Sequence, residues 1–537
     1  QPGRGTPQMD STEILSAQWT EICRQVFAEN TGPLQDFATT VCSRLAERLS
    51  DGHGTSVARA FVEGVSELAR YASEELRDNQ NAVDAERDAV TVSRRVVLPA
   101  LQAKLQRRID RLDEESKVAA TPCPKCSKNT ESEGRRRRSW KSVLGVLSLT
   151  RRYATCSPCE CGVAPAQQTL GLPDGEFTAR FEEVCTMMAT TVPHGMASEL
   201  VDKLCGIDVS VKAMQDMTER RGRAVLARDA AQSHEHAPLD DNGLPVPQQT
   251  RPEDSVPNNA APKVAYVEID GVVPITREEL VGKELSASDR RRQERAKKQK
   301  TRGGKGRRYR IVGREVKNAV LYDGKSCATE GPSRGCLIEK TYVSHLGEWM
   351  SFALMLWVAM LRQRFDEAKL LVIISDGSDW IRSLAAWLPI ETFLILDLFH
   401  VKHRIYEVAN AVFGEKTPQA HAWAEEQGDR IEAGAVAHVI TSLSFLKPSR
   451  KQARKLVVDL KGYLKNNRDR MKYPEYRARG LRISSAAVES ANFHVTGTRL
   501  KLQGMRWSAE GAGQMAALRA DLFNGRWEQR TRQLLAA

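Results

Sequence analysis

Three acidic residues lie far apart in the sequence, and two of them follow apolar strands. Val264–Ile269 is a predicted strand that ends at Asp270, Leu370–Ile374 is another that ends near Asp376, and a glycine follows each acid. Glu489 follows a serine pair that can start a helix, where the helix dipole favours the ionised carboxylate. Side by side, such carboxylates repel one another unless cations bind. The three acids therefore predict a magnesium (or manganese) site suited to two-metal displacement at phosphorus.

Alternative interpretations of these acids exist. An Asp-Gly pair at the end of a strand is more often a simple turn, and Glu489 alone is typical of the start of a helix. Glu268 lies two residues before Asp270 on the same strand face and is a competing candidate. The order of the elements favours a triad, because the pattern between Asp270 and Asp376 is strand–strand–strand–helix–strand.

A second group of residues has the spacing of metal ligands. Each CxxC pair presents two thiolates on one side, and two pairs complete the tetrahedral sulfur shell that zinc prefers. The four residues are Cys123, Cys126, Cys156 and Cys159. Val143–Tyr153 between the pairs is predicted to be part of a β-hairpin, with Arg135–Arg138 in a loop, as in a zinc ribbon. Cys161 is a rival for the fourth ligand position. Free buried cysteines that happen to cluster are the alternative.

Positive charge is concentrated in two segments. The chain has 80 Lys and Arg against 68 Asp and Glu, a net charge of +12. Residues 290–310 alone carry a net +11 and residues 447–482 a net +10, so the remainder is acidic. Clustered cations on an acidic protein indicate polyanion binding, since neutralised phosphates release counterions. A solvated face or a disordered arm is the alternative for either segment.

Length and composition exclude several classes of protein. A chain of 537 residues predicts three or four domains. A 41% hydrophobic and 28% charged composition excludes collagen-like, mucin-like and wholly disordered chains. No apolar run approaches the ~18 residues of a membrane span, and the N-terminal residues lack the hydrophobic segment of a secretory signal. We expect a soluble intracellular protein without disulfides.

The motifs resemble those of a known family. CxxC pairs followed by LTRRYATCSPC and LGLPDG, then ISDGSDWIRSLAAWLP, LDLFHVKHRIYEVA, AAVESANFHVTGTRLKLQGMRW and LRADLFNGRWEQ, are similar to the ISKra group of bacterial insertion-sequence transposases. The resemblance covers about residues 120–535. The order Asp270, Asp376, Glu489 resembles the DDE triad of RNase H-like transposases. It implies magnesium-dependent cleavage at transposon ends and strand transfer by the freed 3′-hydroxyl.

The resemblance also implies roles for other residues. Asp397 and His400 match a D-x-x-H element and are expected to support the triad, although a core Asp–His pair is the alternative. Two positions depart from the family pattern: the long basic stretch 290–310, and Asn492, where relatives often carry a cysteine and which we expect not to touch the metal site. Neither departure removes a ligand. The basic residues expected to contact DNA are Arg135, Arg136, Arg137, Arg138, Arg151, Arg152, Arg307, Arg308, Arg499, Lys501 and Arg506.

These observations predict an α+β multidomain protein with an RNase H-like α/β catalytic core. The predicted parts are an N-terminal helical domain (1–120), a zinc ribbon (121–176), a helix–turn–helix-like region (177–232), a linker (233–262), the first part of the core (263–414), a basic helical insertion (415–480) and the C-terminal helices of the core (481–537).

We expect a DNA transposase with magnesium and structural zinc as cofactors. Its predicted partners are transposon terminal inverted repeats, target DNA and at least one further copy of the chain, with a nucleoid-associated cytoplasmic location. Two alternatives are a domesticated, non-cutting zinc-ribbon DNA-binding protein and an RNase H-like nuclease without strand transfer. The presence of Asp270, Asp376 and Glu489 favours an enzyme over the first of these alternatives, the non-cutting DNA-binding protein.

Overall fold

The computed structural model describes residues 54–74, 82–115, 122–255, 260–281, 284–298, 308–329 and 335–536. The chain divides into two compact units. The first contains the residues up to Met188 together with His194–Met214, and the second contains Ala189–Pro193 and the residues from Gln215 onward. The cysteine-rich segment therefore belongs to the first unit and the three predicted acids to the second.

The first unit combines helices with a small sheet of three antiparallel strands in the order β1-β2-β3. Its elements are α1 (Gly54–Ser73), α2 (Ala82–Glu115), β1 (Glu131–Ser142), β2 (Gly145–Cys156), β3 (Cys161–Val163), α3 (Pro165–Thr169), α4 (Ala179–Thr191, whose last residues belong to the second unit) and α5 (His194–Cys205).

The predicted hairpin is confirmed, but it is longer than expected. Ser142 pairs with Gly145 at the turn, and the register runs back to Glu131 opposite Thr155. Arg135–Arg138 therefore lie within β1 and not in a loop, because each finds a backbone partner on β2. One face of the hairpin packs on α2 through a small core made of Ile109, Trp140, Leu147, Leu149 and Ala166.

The second unit contains a five-stranded sheet in the order β10-β7-β4-β11-β12. Strand β4 is antiparallel to β7, β7 is antiparallel to β10, and β11 is parallel to both β4 and β12. The elements up to β12 are α6 (Val211–His236), β4 (Val264–Val272), β5 (Ile275–Glu279), α7 (Ala287–Lys298), β6 (Tyr309–Gly313), β7 (Val316–Asp323), β8 (Cys327–Thr329), β9 (Gly335–Leu337), β10 (Thr341–Leu346), α8 (Trp349–Arg362), β11 (Leu370–Ser375), α9 (Asp379–Trp387) and β12 (Thr392–Leu396).

Helices dominate the chain after the sheet. They are α10 (Leu398–Phe413), α11 (Pro418–Glu432), α12 (Val436–Phe445), α13 (Lys451–Asn466), α14 (Tyr473–Ala478), α15 (Ala486–Ala491), a π-helical turn (Asn492–Gly497), α16 (Thr498–Leu500), α17 (Ala509–Phe523) and α18 (Trp527–Ala536). Helices α11–α14 occupy the segment predicted as a helical insertion.

Both faces of the central sheet are buried, as their apolar sequences predict. Side chains alternate along β11, so Val372 and Ile374 join the core under α10 while Leu371 and Ile373 join the core under α8. Apolar residues of α11, α12 and α13 extend the first of these cores. The insertion is therefore packed into the unit that holds the acids.

Several elements differ from the sequence prediction. Strand β6 pairs with β5 in a two-stranded sheet outside the main sheet, which the order of strands in the sequence does not predict. The proline-rich segment predicted as a linker lies in the second unit, where the carbonyls of Pro245 and Gln248 accept hydrogen bonds from Trp387 and Trp357. Part of the basic stretch forms α7, and residues 299–307 lie outside the described residues.

Candidate active site and cysteine cluster

Asp270 and Asp376 lie on neighbouring strands. The parallel register places Ser375 opposite Ile269, so the two acids that follow are side by side at the same edge of the sheet. Adjacent strands are about 4.8 Å apart. The structure thus brings together two of the three predicted acids, and the surrounding geometry shows how each is held.

The two Asp-Gly pairs have different backbones. Strand β11 ends at Ser375, and Gly377 has a φ of +88°, a conformation that favours glycine. Strand β4, in contrast, continues past Asp270 to Val272 because β7 still supplies backbone partners there. The expected turn at Gly271 is therefore wrong. Gly271 is instead close to Glu315, whose carboxylate would clash with a Cβ atom.

Asp376 is held on both its side chain and its backbone. The backbone N–H and the hydroxyl of Ser378 donate to its Oδ1 at 3.0 and 2.9 Å. The hydroxyl of Tyr463, on α13, donates to its carbonyl at 2.7 Å. The helical insertion therefore supports this acid directly.

Asp397 and the partly buried His400 form a hydrogen-bonded pair beside Asp270. Asp397 is fully buried and caps α10, accepting from the backbone N–H groups of Phe399, His400 and Ser485 at 3.0–3.2 Å. The Nδ1 of His400 donates to Asp397 at 2.7 Å, and its Nε2 lies 3.8 Å from Asp270. Asp397 thus fixes the ring so that it faces the acid on β4.

Glu489 lies in the first turn of α15 and is exposed. One of its carboxylate oxygens lies within 4.8 Å of ligand atoms of both Asp397 and His400. The position of α15 depends on Glu268, which is 1% exposed and accepts from Tyr322 at 2.6 Å and from the backbone N–H of Val488 at 2.9 Å. Glu268 therefore anchors the helix that carries Glu489 and does not face the site as an alternative ligand.

Asn492 contacts the site, contrary to the sequence expectation. Its side-chain amide donates to Oδ2 of Asp270 at 2.5 Å and accepts from Asn318 at 2.6 Å. Asn318 also donates to Thr496 and accepts from Ser344. A hydrogen-bonded chain therefore crosses three strands and ends on the first acid. The π-helical turn places Asn492 and Thr496 on the same side.

The electrostatics agree with this geometry. Burial raises the pKa of Asp270, and partial desolvation raises that of the more exposed Glu489; neighbouring acids add to both effects. The hydrogen bond to Asp397, together with the nearby carboxylates of Asp270 and Asp376, raises the pKa of His400 to about 9 against the effect of burial. Burial raises the pKa of Asp397, but hydrogen bonds from His400 and Ser485 outweigh it and hold this pKa below its usual value.

The donor set fits a hard divalent cation. Asp270, Asp376 and Glu489 offer carboxylate oxygens, the ligands that Mg²⁺ prefers, and the raised pKa values of Asp270 and Glu489 mean that a cation would relieve unfavourable charge. Asp397, His400 and Glu489 also cluster closely enough to hold a metal. The oxygens of Asp397, however, already accept four hydrogen bonds, which suits it better to orienting His400.

The four predicted cysteines come together in the first unit. The Sγ atoms of Cys123, Cys126, Cys156 and Cys159 all lie within 4.8 Å of one another, a possible metal site with four cysteine ligands. Cys161 lies 3.4 Å from Cys123 but is not in this group. Backbone N–H groups of Lys125 and Cys126 outweigh burial and lower the pKa of Cys123 to about 6. Such donors favour the thiolate that binds metal.

Two of the arginines expected to contact DNA are buried, and those expectations are wrong. Arg151 is 4% exposed and donates to Gln167 and to the carbonyl of Arg136. Arg499 is fully buried, donates to the carbonyl of Ala189 and packs over Trp507. Both guanidinium groups therefore stabilise local structure at buried positions that a DNA phosphate cannot reach.

The other predicted DNA contacts differ in their surroundings. Arg135, Arg136 and Arg308 are exposed but form ion pairs with Asp110, Glu133 and Asp289. Arg138 and Arg152 donate to backbone carbonyls of Asp174 and Asp113. Arg307 lies outside the described residues. Arg137, Lys501 and Arg506 are also exposed.

Residues 315–533 match the model of an uncharacterised protein family, UPF0236. The matched region contains Asp376, Asp397, His400 and Glu489 but begins after Asp270. No curated protein matches the chain. Among the helices that the structure describes, none is both long and apolar enough to cross a membrane.

Sequence reasoning missed the residues that position the acids. Ser378, Tyr463 and Asn492 hold Asp376 and Asp270, and Glu268 holds α15. Ser378 had a local signal, because a serine two residues after an aspartate commonly closes such a turn. The other three act across long sequence separations, where one sequence offers no pattern.

Proposed function

We propose that the protein is a DNA transposase of the ISKra type with an RNase H-like catalytic core. It would bind transposon ends, cleave DNA at the edge of the central sheet and transfer the freed 3′-hydroxyl to target DNA. Asp270, Asp376 and Glu489 would act as the catalytic carboxylates.

One observation carries this proposal. The strand-end acids Asp270 and Asp376 are side by side, and His400, which lies 3.8 Å from Asp270, is also beside Glu489. The sheet has the expected order of three antiparallel strands, a helix and a parallel strand between the first two acids. The proximity of these residues, which are distant in sequence, supports the proposal.

The acids would hold divalent magnesium, which supplies an activated hydroxyl and stabilises the departing oxygen at phosphorus. Asp397 orients His400 through Nδ1, so that Nε2 faces Asp270. Asn492 fixes the other oxygen of Asp270, and Ser378 fixes Asp376. The protein's part would therefore be to position the carboxylates and to fix the orientation of Asp270 and Asp376.

The first unit would hold a structural zinc ion and bind DNA. All four sulfur positions come from protein, so the site has no open position for catalysis. Exposed arginines on β1, such as Arg137, and the exposed cations of α7, Arg290, Arg291, Arg292 and Arg295, are suited to phosphate.

Metal-dependent nicking tests the proposal. The substrate is a labelled duplex that carries the DNA flanking the gene, with any inverted repeat it contains. With magnesium, the wild type should nick this duplex and join the freed end to a second duplex. Asp376→Asn should lower the rate by about a thousandfold, since a ligand for several kcal/mol of charge stabilisation is lost. Asp379→Asn, at an acid two residues beyond Gly377, is the matched control and should retain nicking.

The two alternatives give different results. Binding without nicking by the wild type would contradict the enzymatic proposal and favour a domesticated DNA-binding protein. Nicking that never gives a joined product would favour a nuclease without strand transfer. Loss of both reactions in Asp376→Asn but not in Asp379→Asn supports the transposase.

A further inference from the structure

An open groove of about 800 Å³ lies next to Glu489. It is lined by the end of β4 with the residue that follows, and by residues of α15, the π-helical turn, α16 and the loop after α16. Glu489 lines the groove and also lies beside Asp397 and His400, so the groove is continuous with the candidate active site.

The π-helical turn gives this groove its aromatic residue. Asn492 is directed to Asp270, while the next residue, Phe493, is 63% exposed and lines the groove. Gly497 closes the turn, because a Cβ atom there would lie 2.7 Å from the carbonyl oxygen of Asn492. π-Helical turns are rare and occur frequently at functional sites. The same turn therefore holds Asp270 through Asn492 and exposes the ring of Phe493 to the groove.

The chemistry of the groove suits a nucleotide. Val273 and Leu502 are 49% and 38% exposed and provide apolar surface near Phe493. Lys501 is exposed in the same groove and provides an ammonium group. An exposed ring with a nearby cation is the arrangement by which proteins stack unpaired bases and track their phosphates.

We propose that this groove binds one unstacked nucleotide of the DNA next to the phosphodiester held by the acids, with its base on Phe493. This inference rests on the proposed function. A base in an intact duplex is stacked on both faces and does not reach a lateral groove, so the enzyme would favour DNA whose end is already open. The position of Glu489 on the groove wall places that nucleotide beside the reacting phosphate.

The test compares two DNA probes that differ only in an unpaired end. One is a blunt 20-base-pair duplex, and the other has the same sequence with a three-thymidine 3′ tail. Fluorescence anisotropy with the full chain, in calcium to prevent turnover, gives the ratio of the two dissociation constants. We expect the tailed duplex to bind about tenfold more tightly, since stacking of one base on an aromatic ring has an effect of this size.

Three variants separate the groove from general DNA binding. Phe493→Ala should reduce the ratio to about one, and Phe493→Trp should preserve it because indole also stacks. The matched control is Phe445→Ala, at a phenylalanine of α12 that is 76% exposed and does not line the groove. It should keep the tenfold preference. Thermal melting of all three variants checks that they are folded.

A ratio near one in the wild type, or an unchanged ratio in folded Phe493→Ala, overturns the inference; a groove that binds a protein segment instead would give this result. Nicking by a wild type that has no tail preference leaves the proposed function standing without the groove. A tail preference that depends on Phe493 without any nicking supports the groove and counts against the proposed reaction.

Discussion

The cysteine cluster and the acid site are built in opposite ways. The four thiols come from two short segments, Cys123–Cys126 and Cys156–Cys159, which one hairpin joins. The acids come from two strands and a helix spread from Asp270 to Glu489. Short-range spacing is sufficient to define the first site, whereas the second exists only once a whole sheet has formed.

The hydrophobic cores around the two sites also differ in size. The hairpin packs on α2 through five buried residues, a small core. The acid-bearing strands lie between two large apolar cores. A small domain with little core depends on its metal for folding. A large core folds without a metal and can therefore carry charges that repel one another.

The largest expected effect tests this difference. Cys123→Ser combined with Cys126→Ser should abolish binding of the roughly one zinc ion per chain that we expect and should unfold the ribbon, because structural zinc supplies folding free energy. Metal analysis and limited proteolysis measure the two losses. Asp270→Asn removes one ligand of the acid site and should leave proteolysis of the second unit unchanged.

Cys161→Ser is the matched control for the cysteines. It replaces a thiol that lies 3.4 Å from Cys123 but outside the group of four, so zinc should be retained. Loss of zinc in Cys161→Ser would show that Cys161 is a zinc ligand. Absence of zinc from the wild type would contradict the interpretation of the hairpin and its cysteines as a zinc ribbon.

A smaller effect is expected at Asn492. Asn492→Ala removes a hydrogen bond to a charged oxygen of Asp270 and should lower the nicking rate by about tenfold. Asn492→Asp should also shift the acidic limb of the pH–rate profile to higher pH, because a second carboxylate raises the pKa of Asp270.

Ser490→Ala is the control. Ser490 is an exposed residue of α15, which precedes the π-helical turn of Asn492, and its substitution should leave the nicking rate and the pH–rate profile unchanged. An Asn492→Asp enzyme with the wild-type pH profile would contradict a direct role at Asp270, even if its rate were reduced.

The smallest effect concerns the pH dependence of stability. The pKa of His400 is raised to about 9 from an ordinary 6.5, so its interactions stabilise the fold fully below pH 6.5 and are lost as the pH rises through 9. The shift corresponds to at most about 3 kcal/mol. The Tm of metal-free wild type should exceed that of His400→Gln at pH 6, and the difference should vanish above pH 9.

His403→Gln, at an exposed histidine of the same helix, should show no such trend. A Tm difference between wild type and His400→Gln that stays constant from pH 6 to 10 would mean that His400 is neutral in the folded protein.

Much of the second unit could be predicted because its strands are short and largely apolar. Val264–Ile269 and Leu370–Ile374, both predicted as strands, correspond to β4 and β11. The extent of β4 and the membership of β6 in a separate sheet could not be predicted, because both depend on which backbone lies alongside.

The candidate site follows the same rule. Residue type and order identify Asp270, Asp376, Glu489 and the Asp397–His400 pair as candidates. The structure places Asp270 next to Asp376 and His400, and Glu489 next to the Asp397–His400 pair. Burial and tertiary contacts determine the roles of other residues. Arg499 is expected from the sequence to contact phosphate but is buried, and Asn492 is expected not to touch the site but donates a hydrogen bond to Asp270. Such facts depend on contacts between distant residues.

Glu268 has a mechanical consequence for the site. Its buried carboxylate is satisfied by Tyr322 and by the backbone N–H of Val488, in the helix that carries Glu489. Lifting that helix off the sheet would remove the Val488 hydrogen bond from a carboxyl group in an apolar interior, a loss that costs about 1–3 kcal/mol. The fold itself thus holds the helix that carries Glu489, so under the proposed function the position of this acid would not depend on bound DNA.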